Sequence, residues 1–274
     1  DDEVRILCPS HEDKTPSASL NVHKNLWTCH ACHAGGDIVS LLALIIGVER
    51  KTILVELSSR YELGVVKTIS PSVIESYHEK VWEAGPLLGE LRKRGLTDEM
   101  LRRGRIGYDH GRITIPVYDE GGRVINVRRY LPGAPEKKMM NTRGYGRPAI
   151  YQIEHLKRDK VWVCGGELKA LLVGTMLDKY DIGAVSGSSG EKVWDPGWTP
   201  LFVGKEVWVC MDVDQTGVQA SRIIGQQLHG VASSVKIIEL PLDKKKYPKG
   251  DINDLVGQEK ANAGDLVRLM SEAK

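Results

Sequence analysis

The chain has 274 residues, of which 41% are hydrophobic and 27% are charged, with a formal net charge of +2. This length and apolar content allow a substantial core and predict about two domains. The apolar run at residues 38–48 is shorter than the roughly 20 residues that cross a bilayer, so no membrane span is expected. The five cysteines are odd in number and unevenly spaced. This favours metal ligation in a reducing compartment over disulfides, and we expect a cytoplasmic protein.

Charge is distributed unevenly along the chain. Residues 1–76 carry a net charge of −3, residues 77–150 carry +6 and residues 151–274 carry −1. The middle segment is therefore the candidate for contact with a polyanion such as a nucleic acid. A solvated basic face explains the same charge, and charge alone does not decide between the two.

Two pairs of possible metal ligands lie near the start of the chain. Cys8 and His11 form one pair, Cys29 and Cys32 form the other, and two residues separate the members of each pair. Each short spacing is a turn that directs two side chains to one point, and four such ligands satisfy tetrahedral Zn²⁺ without an open position. We therefore predict a closed, structural zinc site at these four residues, whose folding depends on the metal.

Residues around the second cysteine pair offer an alternative ligand set and a helix. His30 and His33 compete for the histidine position, although their partners would then crowd one side. The following apolar run, 38–46, predicts a helix with Asp37 as its N-cap and Gly47 as its C-terminal stop.

For the middle of the chain, the sequence predicts a tether, two helices and a hairpin. Residues 61–76 contain glycine and proline without strong periodicity and are interpreted as the tether. Helices are predicted at 76–90 and 97–103, and the hairpin strands at 112–118 and 123–130.

Apolar strands alternate with helices over the last part of the chain. Strands are predicted at 161–164, 182–185, 206–211 and 235–238, with helices at 168–177 and 218–228. This pattern predicts a doubly wound α/β fold with a mainly parallel sheet, whose ligand site lies at the C-terminal strand ends. The small residues of segment 186–190 form either a phosphate-binding loop or a plain flexible loop.

Acidic residues follow several of these strand ends. Asp212 and Asp214 are separated by one residue where a strand ends, so both side chains can lean toward one point. Paired carboxylates beside solvent suit Mg²⁺. A capped turn is the ordinary explanation of an isolated Asp-x-Asp, but the apolar strand before it and the glycine and helix after it favour a functional site.

The N-terminal pattern resembles the zinc-binding domain of DnaG-type bacterial and phage primases. Besides the ligands, the resemblance depends on Thr15-Pro16-Ser17, Trp27 and Gly35-Gly36-Asp37, and it covers roughly residues 4–60. In that family the ribbon contacts template DNA and helps to choose the start site. The resemblance implies nucleic-acid contacts from four side chains: Trp27, Lys14, Lys24 and His33. A position in the small hydrophobic core explains Trp27 equally well.

The remainder is similar to the polymerase domain of the same primases. Residues 158–256 resemble the TOPRIM fold, where Asp212-x-Asp214 matches the acidic pair and Asp251 lies in a later acidic motif. The middle segment is similar to the N-terminal part of that domain. This implies that five polar side chains face template phosphates or the triphosphate of the nucleotide: Arg128, Arg129, Lys137, Lys138 and Asn141.

The first acidic motif departs from the family pattern. Gly165 stands where the family has glutamate, and Lys169 stands where it has a second acid. Either Glu167 supplies the carboxylate, or the chain has lost its principal acid and catalyses weakly. We favour Glu167, which gives a predicted Mg²⁺ or Mn²⁺ site with these ligands: Glu167, Asp212, Asp214 and Asp251. Glu167, Asp212 and Asp214 are also the predicted catalytic residues.

The resemblance implies four segments and one function. The segments are a zinc-ribbon DNA-binding domain (1–60), a linker (61–76), a basic N-terminal subdomain of the polymerase domain (77–155) and a TOPRIM catalytic subdomain with C-terminal helices (156–274). The implied function is a DNA primase, a nucleotidyltransferase that makes short RNA primers on single-stranded DNA from ribonucleoside triphosphates. A replicative helicase is the implied partner, fused or separate. The alternatives are a catalytically weakened nucleic-acid-binding protein and a TOPRIM nuclease or topoisomerase fragment.

Overall fold

The structure, a computed structural model, describes residues 3–60, 67–188 and 194–274. Contacts divide the chain into two compact units, which we call the N-terminal unit (Asp1–Val66) and the C-terminal unit (Lys67–Lys274). Within the described ranges, every helix is too short or too polar to serve as a membrane span.

The N-terminal unit consists of a small antiparallel sheet and two helices. Its elements are β1 (Glu3–Ile6), β2 (Ala18–Asn21), β3 (Leu26–Cys29), β4 (Gly35–Asp37), α1 (Ile38–Ile46) and α2 (Arg50–Arg60), with the strands in the order β1-β2-β3-β4. The predicted boundaries of α1 are confirmed. The Asp37 carboxylate accepts the N–H of Ser40 at 2.8 Å, and Gly47 ends the helix in a left-handed conformation with φ of 75°.

The predicted tether overlaps the first helix of the C-terminal unit. Residues 61–66 lie outside the described residues, but a helix already begins at Pro71, with the Ser70 side chain as its cap. The single helix predicted at 76–90 is also wrong, because the chain turns at Gly85, whose φ is 51°, and restarts at Pro86. Proline suits the first turn of a helix, since its missing N–H would have no helical partner there.

An antiparallel sheet and three short helices form the first part of the C-terminal unit. The helices are α3 (Pro71–Glu79), α4 (Pro86–Lys93) and α5 (Asp98–Arg103), and the strands are β5 (Gly107–Asp109), β6 (Arg112–Tyr118), β7 (Val124–Tyr130) and β8 (Met139–Asn141). The strands are hydrogen-bonded in the order β5-β6-β7-β8. The predicted hairpin is therefore confirmed as β6 and β7, and its turn is closed by Asp119, which accepts the N–H of Arg123 at 2.8 Å.

A five-stranded, mainly parallel sheet forms the second part, as predicted. Its strands are β9 (Ile150–Tyr151), β10 (Lys160–Cys164), β11 (Ile182–Gly187), β12 (Glu206–Cys210) and β13 (Ser234–Ile237), and its helices are α6 (Glu167–Leu177), α7 (Gln215–Leu228), α8 (Ile252–Gly257) and α9 (Ala263–Glu272). The order is β13-β12-β10-β11-β9, in which β9 alone is antiparallel to its neighbour.

Alternate residues of β10 and β12 pack into two different hydrophobic clusters. Trp162 and Trp208 belong to one cluster, which also contains residues of α6, α8 and α9. Val161 and Val207 belong to the other, which contains residues of α7. Both faces of the sheet are therefore covered, which explains why its strands are continuous apolar runs. Because Cys164 and Cys210 are in register, the chain leaves β10 and β12 at the same edge of the sheet.

Candidate functional site

The structure brings together the four predicted zinc ligands. One donor atom from each of Cys8, His11, Cys29 and Cys32 lies within 4.8 Å of the others. The two rival histidines are not part of this group: His30 contacts the hydroxyl of Ser19 at 3.3 Å, and His33 is exposed. The pairing of β2 with β3 explains why the two ligand pairs lie close together. Ala18 of β2 lies opposite Cys29 of β3, so the chain brings the second ligand pair back beside the first.

The chemistry of these donors fits zinc. The Nδ1 atom of His11 is buried without a hydrogen-bond partner, as expected of a metal ligand. Burial raises the pKa of the Cys29 thiol, but hydrogen bonds from Ser17 and from the backbone of Cys32 and Ala31 outweigh burial and lower it to about 6. A thiolate is the form that binds zinc. Three cysteines and one histidine, with no open position, make this a structural zinc site.

Asp13 stabilises the loop that carries the first two ligands, Cys8 and His11, a role that was not predicted from the sequence. Its carboxylate accepts the N–H of Cys8 at 2.9 Å and the hydroxyl of Ser17 at 2.6 Å. The hydrogen bond from Ser17, together with those from the backbone, lowers the pKa of Asp13 to about 2. The sequence did contain an indication of this role. An aspartate shortly after a turn that carries metal ligands commonly closes the loop by accepting backbone N–H groups.

Trp27 does not lie on the surface, as a base-stacking residue would. Its side chain is 2% exposed and packs with Cys8, Cys29 and Leu41 in the core of the N-terminal unit. The alternative explanation, a core tryptophan, therefore replaces the predicted DNA contact. Lys14 and Lys24 are exposed, and so is His33, as phosphate contacts require.

The Asp-x-Asp pair lies at the C-terminal end of β12. Asp214 caps α7 by accepting the N–H of Gly217 at 2.8 Å. A Cβ atom on Gly217 would lie 2.1 Å from the carbonyl oxygen of Asp212, so only glycine lets the helix start this close to the strand end. The spacing Asp-x-Asp-x-x-Gly therefore allows α7 to begin in direct contact with the end of β12.

Asp251 is held beside the acidic pair by backbone and side-chain contacts. The carbonyl of Gly250 accepts the N–H of Val213 at 2.9 Å. Asp251 then caps α8, and its Oδ2 atom receives Arg94 at 2.9 Å. Arg94 lies at the end of α4, 157 residues earlier in the chain, so no local pattern indicated this partner.

Lys169 forms an ion pair with Asp212 at the same edge of the sheet. Its ammonium also lies 3.5 Å from the Oδ2 atom of Asp251 and 3.4 Å from the carbonyl oxygen of Gly165. The lysine that replaces an acid in the family pattern therefore sits between two of the predicted ion ligands.

Glu167 is buried in the C-terminal unit, where its carboxylate pairs with an arginine. Its Oε1 atom accepts the Nε–H of Arg128 at 2.8 Å, and the two side chains are 5% and 9% exposed. Arg128 also donates to Asn141 at 2.6 Å, and Asn141 in turn accepts from Asn126 at 2.8 Å. Arg128 is thus committed to a buried network, contrary to the expectation that it faces phosphates.

The predicted four-carboxylate ion site does not form in this arrangement. Across the described residues, the zinc ligands are the group of donors close enough together to hold one ion, and the four carboxylates are not. Three of those carboxylates have cationic partners: Glu167 with Arg128, Asp212 with Lys169, and Asp251 with Arg94 and Lys169. The residues present do not fit a pair of divalent ions held by all four carboxylates.

Of the other residues predicted to contact phosphates, one forms an ion pair within the protein and two are exposed to solvent. Arg129 points to the opposite side of β7 from Arg128, where it donates to Asp109 at 2.7 Å and lies over the ring of Tyr77. Lys137 and Lys138 are exposed just before β8. In segment 186–190, Ser188 is bound to Ala149 through both its hydroxyl and its N–H, while residues 189 and 190 lie outside the described residues.

The described part of the chain thus combines a four-ligand zinc ribbon with an acidic edge of a mainly parallel sheet. Residues 2–71 match the CHC2 zinc finger family. A DNA primase of Geobacillus stearothermophilus is 23% identical, over 88% of this chain and 52% of the primase. The chain spans about half the length of the curated relatives it matches.

Solved structures match the same fold. The zinc-binding and RNA polymerase domains of the Aquifex aeolicus primase have a TM-score of 0.60 at 19% identity, covering 100% of this chain and 79% of that one. A DnaG primase catalytic domain bound to single-stranded DNA has a TM-score of 0.58 at 18% identity, covering 74% and 76%. With the ribbon and the curated relatives, these findings show that the chain is similar to DnaG-type primases in sequence and in fold.

Proposed function

We propose that the chain synthesises short RNA primers on single-stranded DNA from ribonucleoside triphosphates. The observation that carries this proposal is the Asp212-x-Asp214 pair at the sheet edge of a chain that also has a CHC2 ribbon. The reaction joins two nucleotides when a 3′-hydroxyl attacks the α-phosphate of a triphosphate and pyrophosphate leaves. A replicative helicase is the further partner that we propose from the family resemblance.

The zinc ribbon and the exposed basic residues are proposed to hold the polyanions. Support for template binding comes from the DnaG relative whose structure contains single-stranded DNA. We assign phosphate contacts to Lys137, Lys138 and Asn141, which are exposed at the edge of the antiparallel sheet. Arg128 has a positioning role instead, because it fixes Asn141 through a 2.6 Å hydrogen bond.

Asp212 and Asp214 are the residues proposed to hold one Mg²⁺ or Mn²⁺. Both are partly exposed; Asp212 pairs with Lys169, and Asp214 caps α7. An ion bound there would supply positive charge to the triphosphate. Glu167 and Asp251 are proposed to order the site rather than to ligate, since each is bound to an arginine.

One observation favours a second candidate function. Gly165 offers no carboxylate where the pattern of the family that this chain resembles has glutamate, and Glu167 is engaged by Arg128. A chain with this change could bind nucleic acid without polymerising. The alternative is a zinc-ribbon protein that retains single-stranded DNA.

Incorporation of labelled ribonucleotides on single-stranded DNA separates the candidates. Short RNA products that depend on template support primer synthesis. DNA retention without product supports the binding protein, and cut template supports a TOPRIM nuclease. A parallel assay of Gly165→Glu tests the missing acid: a large gain in product means that the natural chain is catalytically weakened, and no gain means that Gly165 is compatible with full activity.

A further inference from the structure

The loop between β13 and α8 carries a concentration of positive charge that was not predicted from the sequence. Four of the six residues 244–249 are lysines, and we call this segment the lysine loop. All four lysine side chains are exposed. Residues 151–274 together have a net charge of −1, so the charge of the whole segment conceals this local cluster.

Backbone hydrogen bonds fix the shape of the lysine loop. The N–H of Lys245 donates to the carboxylate of Asp243 at 2.9 Å, and the N–H of Tyr247 donates to the carbonyl of Asp243 at 2.7 Å. The N–H of Gly250 donates to the carbonyl of Tyr247 at 3.1 Å and closes the loop. The lysines therefore project from an ordered turn, which reduces the conformational entropy lost when a ligand binds.

Three of the four lysines have no acidic partner among the described residues. The ammonium of Lys246 is compensated, because it lies 2.7 Å from the carboxylate of Glu259. Lys244, Lys245 and Lys249 form no ion pair with an acid in the described ranges. Several uncompensated ammonium groups on one exposed turn attract a polyanion.

The lysine loop borders the acidic edge of the parallel sheet. Lys249 precedes Gly250, whose carbonyl accepts the N–H of Val213 at 2.9 Å, and Val213 directly follows Asp212. At the other end of the loop, Lys244 lines a cavity of about 530 Å³ that Asp212 also lines. A ligand bound to the lysine loop therefore lies beside the residues proposed for nucleotidyl transfer.

The interior of this cavity is not itself suited to an anion. Three acids line it together with the basic residues Arg222 and Lys244: Asp212, Glu239 and Glu272. The charges inside the cavity are therefore mixed, whereas the excess positive charge lies on the exposed turn at its rim.

The contacts that the lysine loop offers are to phosphates rather than to bases. An ammonium is a point charge that binds phosphate oxygens without selecting a base. The aromatic residue of the loop, Tyr247, is engaged within the protein, since its hydroxyl donates to Glu259 at 2.6 Å and Lys246 lies 4.9 Å from its ring. Binding is therefore expected to be independent of base sequence.

We propose that the lysine loop binds the phosphate backbone of a single-stranded nucleic acid beside the acidic edge. Separate ammonium groups on an exposed turn match phosphates distributed along a strand, whereas one triphosphate would require them to converge. The loop supplies charge that Arg128 and Arg129 do not, because both arginines are paired within the protein. The choice of partner rests on the proposed function.

The test is binding of a labelled oligodeoxythymidine to the zinc-loaded full chain at several salt concentrations. For single strands, each neutralised phosphate contributes about 0.7 to the slope of log K against log salt. A triple variant with Lys244→Gln, Lys245→Gln and Lys249→Gln should therefore bind more weakly at low salt, with a slope shallower by about 2. The assay contains no nucleotide and no divalent ion, so binding and primer synthesis can each fail alone.

A second triple variant makes the same change in net charge at the opposite edge of the parallel sheet: Lys157→Gln, Lys160→Gln and Lys179→Gln. These lysines are exposed; Lys160 begins β10, Lys157 lies before it, and Lys179 lies before β11. This variant should leave the slope unchanged. An equal effect of both triple variants would overturn the proposal, as would a lysine-loop variant that binds like the natural chain.

A measurement on the natural chain covers the case in which the lysine-loop variant does not fold. Acetic anhydride labels accessible amines, and mass spectrometry reports the rate at each lysine. Saturating oligonucleotide should slow labelling of Lys244, Lys245 and Lys249 and leave Lys160 and Lys179 unchanged. Protection of the loop by ATP but not by the oligonucleotide would assign it to a triphosphate and contradict the proposal. A natural chain that does not retain the oligonucleotide at low salt contradicts it as well.

Discussion

The Nε atom of Arg128 lies 2.8 Å from the Oε1 atom of Glu167, which joins β7 of the antiparallel sheet to the first residue of α6. Both side chains are buried, so this ion pair connects the two halves of the C-terminal unit through its interior. The arginine that the sequence assigned to phosphate binding is therefore a structural tie behind the acidic edge.

Removing one partner of this pair should be strongly destabilising. Arg128→Met leaves the Glu167 carboxylate buried without its cation, and we expect the free energy of unfolding to fall by about 3–5 kcal/mol. Urea unfolding followed by tryptophan fluorescence measures the change. The double variant with Glu167→Met should recover much of the loss, since no unpaired charge remains. Losses that simply add would show that the two side chains do not stabilise each other.

Zinc content should depend on the thiols of the ribbon and not on those of the sheet. Cys29→Ala removes a ligand whose thiol pKa of about 6 favours the thiolate, and the purified chain should contain little zinc. Cys164→Ala is the control, because Cys164 is buried in β10 and burial raises the pKa of its thiol to about 12. Zinc analysis of both proteins checks the assignment. Full zinc in Cys29→Ala would require a different ligand set.

Gly217 should tolerate no larger residue. Gly217→Ala places a methyl group 2.1 Å from the carbonyl oxygen of Asp212, and the resulting overpacking should cost about 1–3 kcal/mol or more. Gly225→Ala in the same helix is the control, since the nearest atom to its new methyl group is 3.8 Å away. That variant should gain up to about 1 kcal/mol from helix propensity. Similar stability of both variants in urea would argue against a close contact between Gly217 and the backbone of Asp212.

His155 should make the C-terminal unit less stable in mild acid. Burial lowers the pKa of His155, because the interior of the C-terminal unit disfavours the charged form of its ring. Below the ordinary histidine pKa of about 6.5 the unfolded chain binds the proton more readily, so stability falls as pH falls.

The check is urea unfolding at about pH 7.5 and about pH 5.5, on either side of that value. His155→Gln should lose less stability than the natural chain over this interval. The two proteins differ only at this histidine, so the difference between their pH dependences isolates it. An identical pH dependence would mean that His155 can be protonated in the folded state.

Local patterns predicted the elements well. The caps of α1, the hairpin of β6 and β7, and the apolar strands of the parallel sheet each depend on residues close together in sequence. The zinc ligands were predictable for the same reason, since each pair lies within one turn. The break at Gly85 was missed because helical periodicity on both sides conceals a positive φ in between.

Partners across the fold were not predictable from the sequence. Glu167 meets an arginine 39 residues away, and Lys169 meets Asp212 at a separation of 43 residues. The first pair depends on how the two sheets pack, and the second on which strands of the parallel sheet are neighbours; no spacing rule records either. Trp27 was ambiguous because an aromatic residue serves equally in a small core and on a base-binding surface.

Primer synthesis by matched aspartate and lysine variants tests the central claim most directly. On a single-stranded DNA circle with ribonucleoside triphosphates and Mg²⁺ or Mn²⁺, the natural chain should make short RNA products. Asp212→Asn should reduce them to background while zinc content and folding are retained. Lys205→Met, which changes a lysine at the opposite end of β12 from Asp212, should leave them unchanged. Undiminished synthesis by Asp212→Asn would contradict the account, because the acidic edge would then not be the site of nucleotidyl transfer.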